Sequence, residues 1–128
     1  MLSQESIHQS RVESDTDLVS LELRNDNHPV VLFSLSWCGF CRSAKQLLQQ
    51  LGVSYHLIEL DSGQFSSAAL REIRQQLQAR TGSRTLPQLF IAGQSIGGYT
   101  ETHRAWKQGQ LEQLLQNQGI ATTSKQRN

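Results

Sequence analysis

The stretch Pro29-Val30-Val31-Leu32-Phe33-Ser34-Leu35-Ser36-Trp37-Cys38-Gly39-Phe40-Cys41 decides the reading of this chain. Pro29 opens the apolar run Val30–Leu35, which reads as a strand buried on both faces at the centre of a parallel sheet. The chain's only two cysteines then stand two residues apart. Downstream, Ala44, Leu47, Leu48 and Leu51 recur at i, i+3, i+4 and i+7 opposite Lys45, Gln46, Gln49 and Gln50, an amphipathic helix ended by Gly52. A C-x-x-C at the end of a strand and the start of a helix is a redox-active dithiol by geometry. The first sulfur sits at the positive end of the helix dipole, where backbone N–H groups favour thiolate over thiol. The second lies about one helical turn away, in reach for a small disulfide ring. The same spacing could chelate a metal, so the rest of the chain must decide.

Outward from this stretch the pattern alternates. On the N-terminal side, Leu18, Val19, Leu21 and Leu23 predict a short helix with Ser14 or Asp15 as N-cap, preceded by a loose polar arm over residues 1–14. On the C-terminal side, Val53, Tyr55, Leu57 and Leu60 mark a second strand, with Ile58 adding to its apolar count, before the turn residues Asp61-Ser62-Gly63. Ala69, Leu70, Ile73 and Leu77 give a second amphipathic helix closed by Gly82. Pro87–Ile91 and Gln94–Ile96 form a hairpin through Ala92-Gly93. A last helical region starts near Thr100, breaks at Gly109 and resumes through Leu111, Leu114 and Leu115. Residues 15–117 therefore read as one domain and 118–128 as a disordered polar tail. The first two strands, joined across a helix, should be parallel, and the hairpin antiparallel. The expected fold is α/β and thioredoxin-like: a four-stranded mixed β-sheet flanked by helices.

Composition excludes several classes. At 128 residues, with 37% hydrophobic and 18% charged residues, the chain is an ordinary globular domain. A net charge of +1 without a basic block or acidic tail argues against nucleic acid or anionic membrane as main partners. No apolar run approaches the ~20 residues that span a bilayer. The N-terminus lacks the apolar core of a secretory signal, and its Glu5, Glu13, Asp15 and Asp17 argue against a presequence. A cytoplasmic location is expected, where a cysteine pair is more often catalytic or metal-binding than structural. His8, His28, His56 and His103 supply no H-x₃₋₅-H pair for a structural zinc site.

Four separated segments resemble one family, the glutaredoxins. Ser36-Trp37-Cys38-Gly39-Phe40-Cys41 is similar to their active-site loop, Arg84-Thr85-Leu86-Pro87 to their T-V-P segment, and Gly97-Gly98-Tyr99-Thr100-Glu101 to their G-G-x-[ST]-[DE] segment, with Ile91-Ala92-Gly93-Gln94 where the family has its hairpin turn. The resemblance implies glutathione as co-substrate and assigns positions to it. Pro87 would be the family's cis-proline, and Leu86 would pair through its backbone with the cysteinyl unit of glutathione like an added strand. Gly98 would permit close approach, and Thr100, as N-cap of the last helix, would help hold the γ-glutamyl carboxylate. Glu101 would meet the ligand's ammonium, and Arg74, thirteen residues before Pro87, the glycyl carboxylate. Trp37, Phe40, Thr85 and Tyr99 complete the expected groove; Trp106 is expected in the core.

The resemblance also implies the chemistry. Cys38 is the expected nucleophile and Cys41 the resolving thiol of a glutathione-dependent thiol–disulfide oxidoreductase, acting on glutathionylated or disulfide-containing proteins. Two departures stand out. Leu35 occupies the place, three residues before Cys38, where most glutaredoxins carry a Lys, which predicts weaker electrostatic capture of glutathione and leaves Arg74 as the main cation. Gly39 replaces the common Pro after the first cysteine. In the family, a small residue there accompanies a [2Fe-2S] cluster held between two subunits with glutathione. The alternative reading is therefore a cluster-bridged dimer bound through Cys38, in place of a monomeric enzyme. A reductant fed by thioredoxin reductase, without glutathione, is a third.

Overall fold

A computed structural model, describing residues 17–24 and 28–123, gives the order α1 (Leu18–Leu23), β1 (Val30–Ser34), α2 (Gly39–Leu51), β2 (His56–Glu59), α3 (Ser67–Thr81), β3 (Gln88–Ile91), β4 (Gln94–Gly97), α4 (Tyr99–Lys107) and α5 (Gln110–Asn117). The expected arm, residues 1–14, lies outside the described residues. The strands form one four-stranded sheet in the order β2-β1-β3-β4. β1 and β2 are parallel, while β3 runs antiparallel to both β1 and β4. This is the thioredoxin-like mixed sheet that the alternation of elements implied.

β1 is central and every one of its residues is buried. Successive side chains point to opposite faces of a strand, so the run divides between two cores. Val30 and Leu32 pack with Ala44, Leu47, Leu48 and Leu51 of α2 and Leu111 and Leu115 of α5. Val31 and Phe33 pack with Val19 of α1, Ile73 and Leu77 of α3, and Ile58 of β2. Each fully buried Leu, Ile, Val or Phe contributes roughly 1.5–3 kcal/mol relative to exposure. A sheet covered on both faces gives the active segment a rigid base.

The structure corrects the sequence reading in several places. The N-cap of α1 is Asp17, whose carboxylate accepts the Ser20 N–H at 2.7 Å, in place of Ser14 or Asp15. β2 is shorter than its apolar residues implied, and Leu57 is 38% exposed, because β2 is an edge strand with one incompletely covered face. Ile58 is buried within β2, and Val53 and Leu60 are buried on either side of it. Gly98, and not Thr100, is the N-cap of α4, since the Glu101 carboxylate reaches back to the Gly98 N–H at 2.9 Å and fixes the helix start there. Thr100 lies inside the first turn. Residues 118–123, expected in the disordered tail, are placed against the domain: Ile120 packs on the α2/α5 core and the Thr123 N–H donates to the Leu51 carbonyl at 3.1 Å. Trp106 is half-buried at the margin of that core. Gly52 ends α2 with φ 69°, and an added Cβ there would fall 1.8 Å from Thr123 Oγ1, so both conformation and space call for glycine. Among the described residues, no helix is long and apolar enough to cross a membrane.

Candidate active site

Because β1 and β2 are parallel neighbours, their C-terminal ends meet at one edge of the sheet, a common location for sites in such sheets. Asp61, just past β2, grips the segment between β1 and α2. Its carboxylate accepts the Ser36 N–H at 3.0 Å and the Ser36 hydroxyl at 2.5 Å. The hydroxyl bond first, then the backbone bond, hold the Asp61 carboxyl below its ordinary range.

Cys38 is itself the N-cap of α2: its backbone is extended and its sulfur accepts the Cys41 N–H at 3.3 Å. Half-buried, it lies 3.8 Å from the Leu86 carbonyl oxygen. Partial burial alone would raise its pKa. Hydrogen bonds from the Cys41 thiol, the Cys41 N–H and the Phe40 N–H, with the nearby Lys45 charge, outweigh burial and bring Cys38 below the 9.0 of an ordinary thiol. Cys41 is fully buried and accepts the Leu35 N–H at 3.4 Å. Burial chiefly, then its bond to Cys38, push it up; the Leu35 N–H and the Ser34 hydroxyl pull weakly the other way. Both are free thiols. The reachable sulfur is therefore the more acidic of the two and the enclosed one the less.

Lys45, on α2, pairs with Glu59 of β2, and the buried Ser34 hydroxyl donates to the same carboxylate at 3.0 Å. This lattice holds a cation near Cys38 although the position three residues before it is Leu35.

The opposite wall is the Leu86-Pro87 segment, whose peptide bond is cis. Gln88, buried in β3, donates through Nε2 to the Thr85 carbonyl at 3.0 Å, and the Thr85 hydroxyl bonds that of Ser83 at 2.8 Å. An added Cβ at Gly98 would lie 3.4 Å from the Pro87 carbonyl oxygen, so the two expected ligand segments do adjoin. Tyr99 stacks on Phe40 at 6.0 Å between ring centroids. Trp37 and Phe40 are 72% and 65% exposed, leaving both rings on the outer rim. The structure thus gathers Cys38, Cys41, Phe40, Leu86, Pro87, Gly98 and Tyr99. Thr100 and Glu101 are exposed in the first turn of α4, with Glu101 engaged by its own helix cap. Arg74 stands apart on α3, in a groove with Arg71, Gln75, Gln78 and Arg84.

Sequence reasoning missed Ser34, Lys45, Glu59, Asp61 and Gln88 as supports of the site. Gln88 left a legible trace, a polar residue inside an otherwise apolar strand; the others pair only once β1, β2 and α2 are assembled. Among the described residues no three His, Cys, Asp or Glu side chains group to hold a metal, and Cys41 faces inward.

Comparison with known proteins agrees with this geometry. The family model described as Glutaredoxin matches residues 30–96. The chain is 43% identical over 93 residues to a glutaredoxin of Ricinus communis, covering 73% of this chain and 87% of that protein. It is 43% identical over 100 residues to glutaredoxin-C1 of Arabidopsis thaliana, covering 77% of each. The crystal structure of a buckwheat glutaredoxin–glutathione complex matches with a TM-score of 0.70 at 33% identity, covering 84% of this chain and 94% of that one. With its C-x-x-C at the head of α2 and its mixed four-stranded sheet, the chain belongs to the glutaredoxin family of thiol–disulfide oxidoreductases.

Proposed function

We propose that the protein is a glutathione-dependent thiol–disulfide oxidoreductase that removes glutathione from modified proteins and reduces protein disulfides. The observation that carries this reading is the unequal thiol pair: Cys38 lowered and reachable at the head of α2, Cys41 raised and enclosed beneath it. The Cys38 thiolate attacks the glutathione sulfur of a glutathionylated protein. A Cys38–glutathione disulfide forms, and the protein leaves as a thiolate that takes a proton from water. The thiolate of a second glutathione attacks that mixed disulfide, releasing oxidised glutathione and the Cys38 thiolate. With a protein disulfide, Cys38 forms the mixed disulfide and releases one protein thiolate; Cys41, on losing its proton, attacks Cys38, closes the Cys38–Cys41 disulfide and expels the second, and two glutathiones then reduce that disulfide and leave as oxidised glutathione. Similarity to a structure solved with glutathione supports the choice of co-substrate, as does the wall of Leu86, Pro87 and Gly98 beside Cys38. A glutathione-coupled turnover assay tests it. Cys38→Ser should abolish both reactions, whereas Cys41→Ser should keep deglutathionylation and lose most protein-disulfide reduction. Full transferase activity in Cys38→Ser contradicts the proposal.

One observation favours a second reading. An added Cβ at Gly39, the residue after Cys38, would meet nothing within 4 Å, so that position faces open space. That room suits a [2Fe-2S] cluster shared by two copies, its remaining ligands supplied by the second copy and glutathione. Anaerobic purification separates the two: a coloured dimer that loses its colour in Cys38→Ser supports the cluster, and a colourless monomer with brisk turnover supports the enzyme.

A further inference from the structure

The groove in which Arg74 stands is larger than one carboxylate requires. Arg71, Arg74, Gln75 and Gln78 fall at i, i+3, i+4 and i+7 along α3, a single stripe opposite its buried Ile73 and Leu77. Arg84, in the loop after α3, completes the wall and is oriented by the bond from its Nε to Gln78 Oε1 at 3.0 Å. These side chains line a cavity of about 310 Å³. Three arginines line it, and none of them pairs with a carboxylate among the described residues; the ion pairs found among those residues involve Lys45, His56 and Arg80. The groove also abuts the site. Arg84 precedes Leu86 by two residues, at most roughly 7 Å of chain, and the Leu86 carbonyl touches Cys38.

We infer that this groove is a substrate-selecting surface for acidic polypeptide, and that it seats Asp or Glu side chains flanking the target cysteine of a protein disulfide. A concave surface of one sign, kept without counter-charges, concentrates anionic partners and speeds their encounter. Guanidinium forks match carboxylates in a bidentate manner. No aromatic ring lines the groove, and the chain's net charge is only +1, so a stacked or wrapped nucleic acid does not fit. Glutathione's glycyl carboxylate would occupy one arginine, leaving the others for the polypeptide.

The inference rests on the disulfide-exchange chemistry proposed above, and the test keeps the two separable. Reduced protein is mixed, without glutathione, with cysteine peptides activated as thionitrobenzoate disulfides and bearing acidic, neutral or basic flanks. Release of thionitrobenzoate gives the second-order rate of Cys38 attack. The acidic peptide should react about tenfold faster than the neutral one at low ionic strength. That ratio should fall toward one in high salt, where charges are screened. Arg71→Glu, an exposed helical substitution, should reduce or invert the acidic-to-neutral ratio. Because a ratio is read, any general change in Cys38 reactivity cancels. Equal rates for all flanks in the unaltered protein, or a preference that survives Arg71→Glu, overturn the inference. Failure to react even with an uncharged small disulfide overturns the exchange chemistry, and this inference with it.

Discussion

Cys38 carries opposing influences whose sign decides its chemistry. Burial disfavours its thiolate, and the bonds from Cys41 and Phe40 together with Lys45 outweigh that. Since its folded value lies below the 9.0 of an ordinary thiol, ionisation of Cys38 favours the folded state above that pH, and the advantage is lost as pH falls through the lowered value. Cys41 has the opposite sign, its contribution being lost as pH rises through its raised value. Near neutral pH, limited iodoacetamide should label Cys38 alone, as peptide mass mapping would show. The sequence made both sulfurs legible, because spacing and helix position suffice to name them. Ser34 was not legible as a partner, because its role depends on Glu59 from another strand.

At the scale of elements, the head of α2 is held by the end of β2. Asp61→Asn replaces a carboxylate that accepts from both Ser36 donors, and should slow Cys38 attack about threefold or more by loosening the loop. Stopped-flow disulfide reduction measures this. As the Asp61 carboxyl is lowered from 3.8, its clamp is in place above that pH and weakens only as pH falls through the lowered value. At the other end of α2, Gly52→Ala should cost at least about 1–2 kcal/mol in urea denaturation, from the left-handed backbone alone. β1, α2 and α3 could be read from periodicity and their closing glycines, and the β3–β4 turn from its own residues, since all of these obey local rules. The start of α4 could not, because Thr100 is a good cap by type while Glu101 reaches back to select Gly98. Leu57 misled for a related reason: apolarity marks a strand but not whether a neighbour covers it.

Across the whole molecule, two cores clasp one sheet, and the residues just beyond α5 return to complete one of them. A chain ending at Gln118 should lose about 1–3 kcal/mol, read from the urea midpoint, because it lacks the Ile120 packing and the Thr123 bond to Leu51. Neither contact was legible in a short polar tail, where one isoleucine gives no period. The arginine groove was half-visible: Arg74 could be placed by its distance from Pro87, whereas Arg71 and Arg84 join it only through the helical stripe and the returning loop. The account as a whole depends on the two sulfurs differing in acidity within the intact, reduced protein. Thiolate ultraviolet absorbance followed against pH tests this most directly. One thiol should ionise below pH 9.0, a step missing from Cys38→Ser, and the second above it. Two thiols titrating together at or above that value would contradict the account.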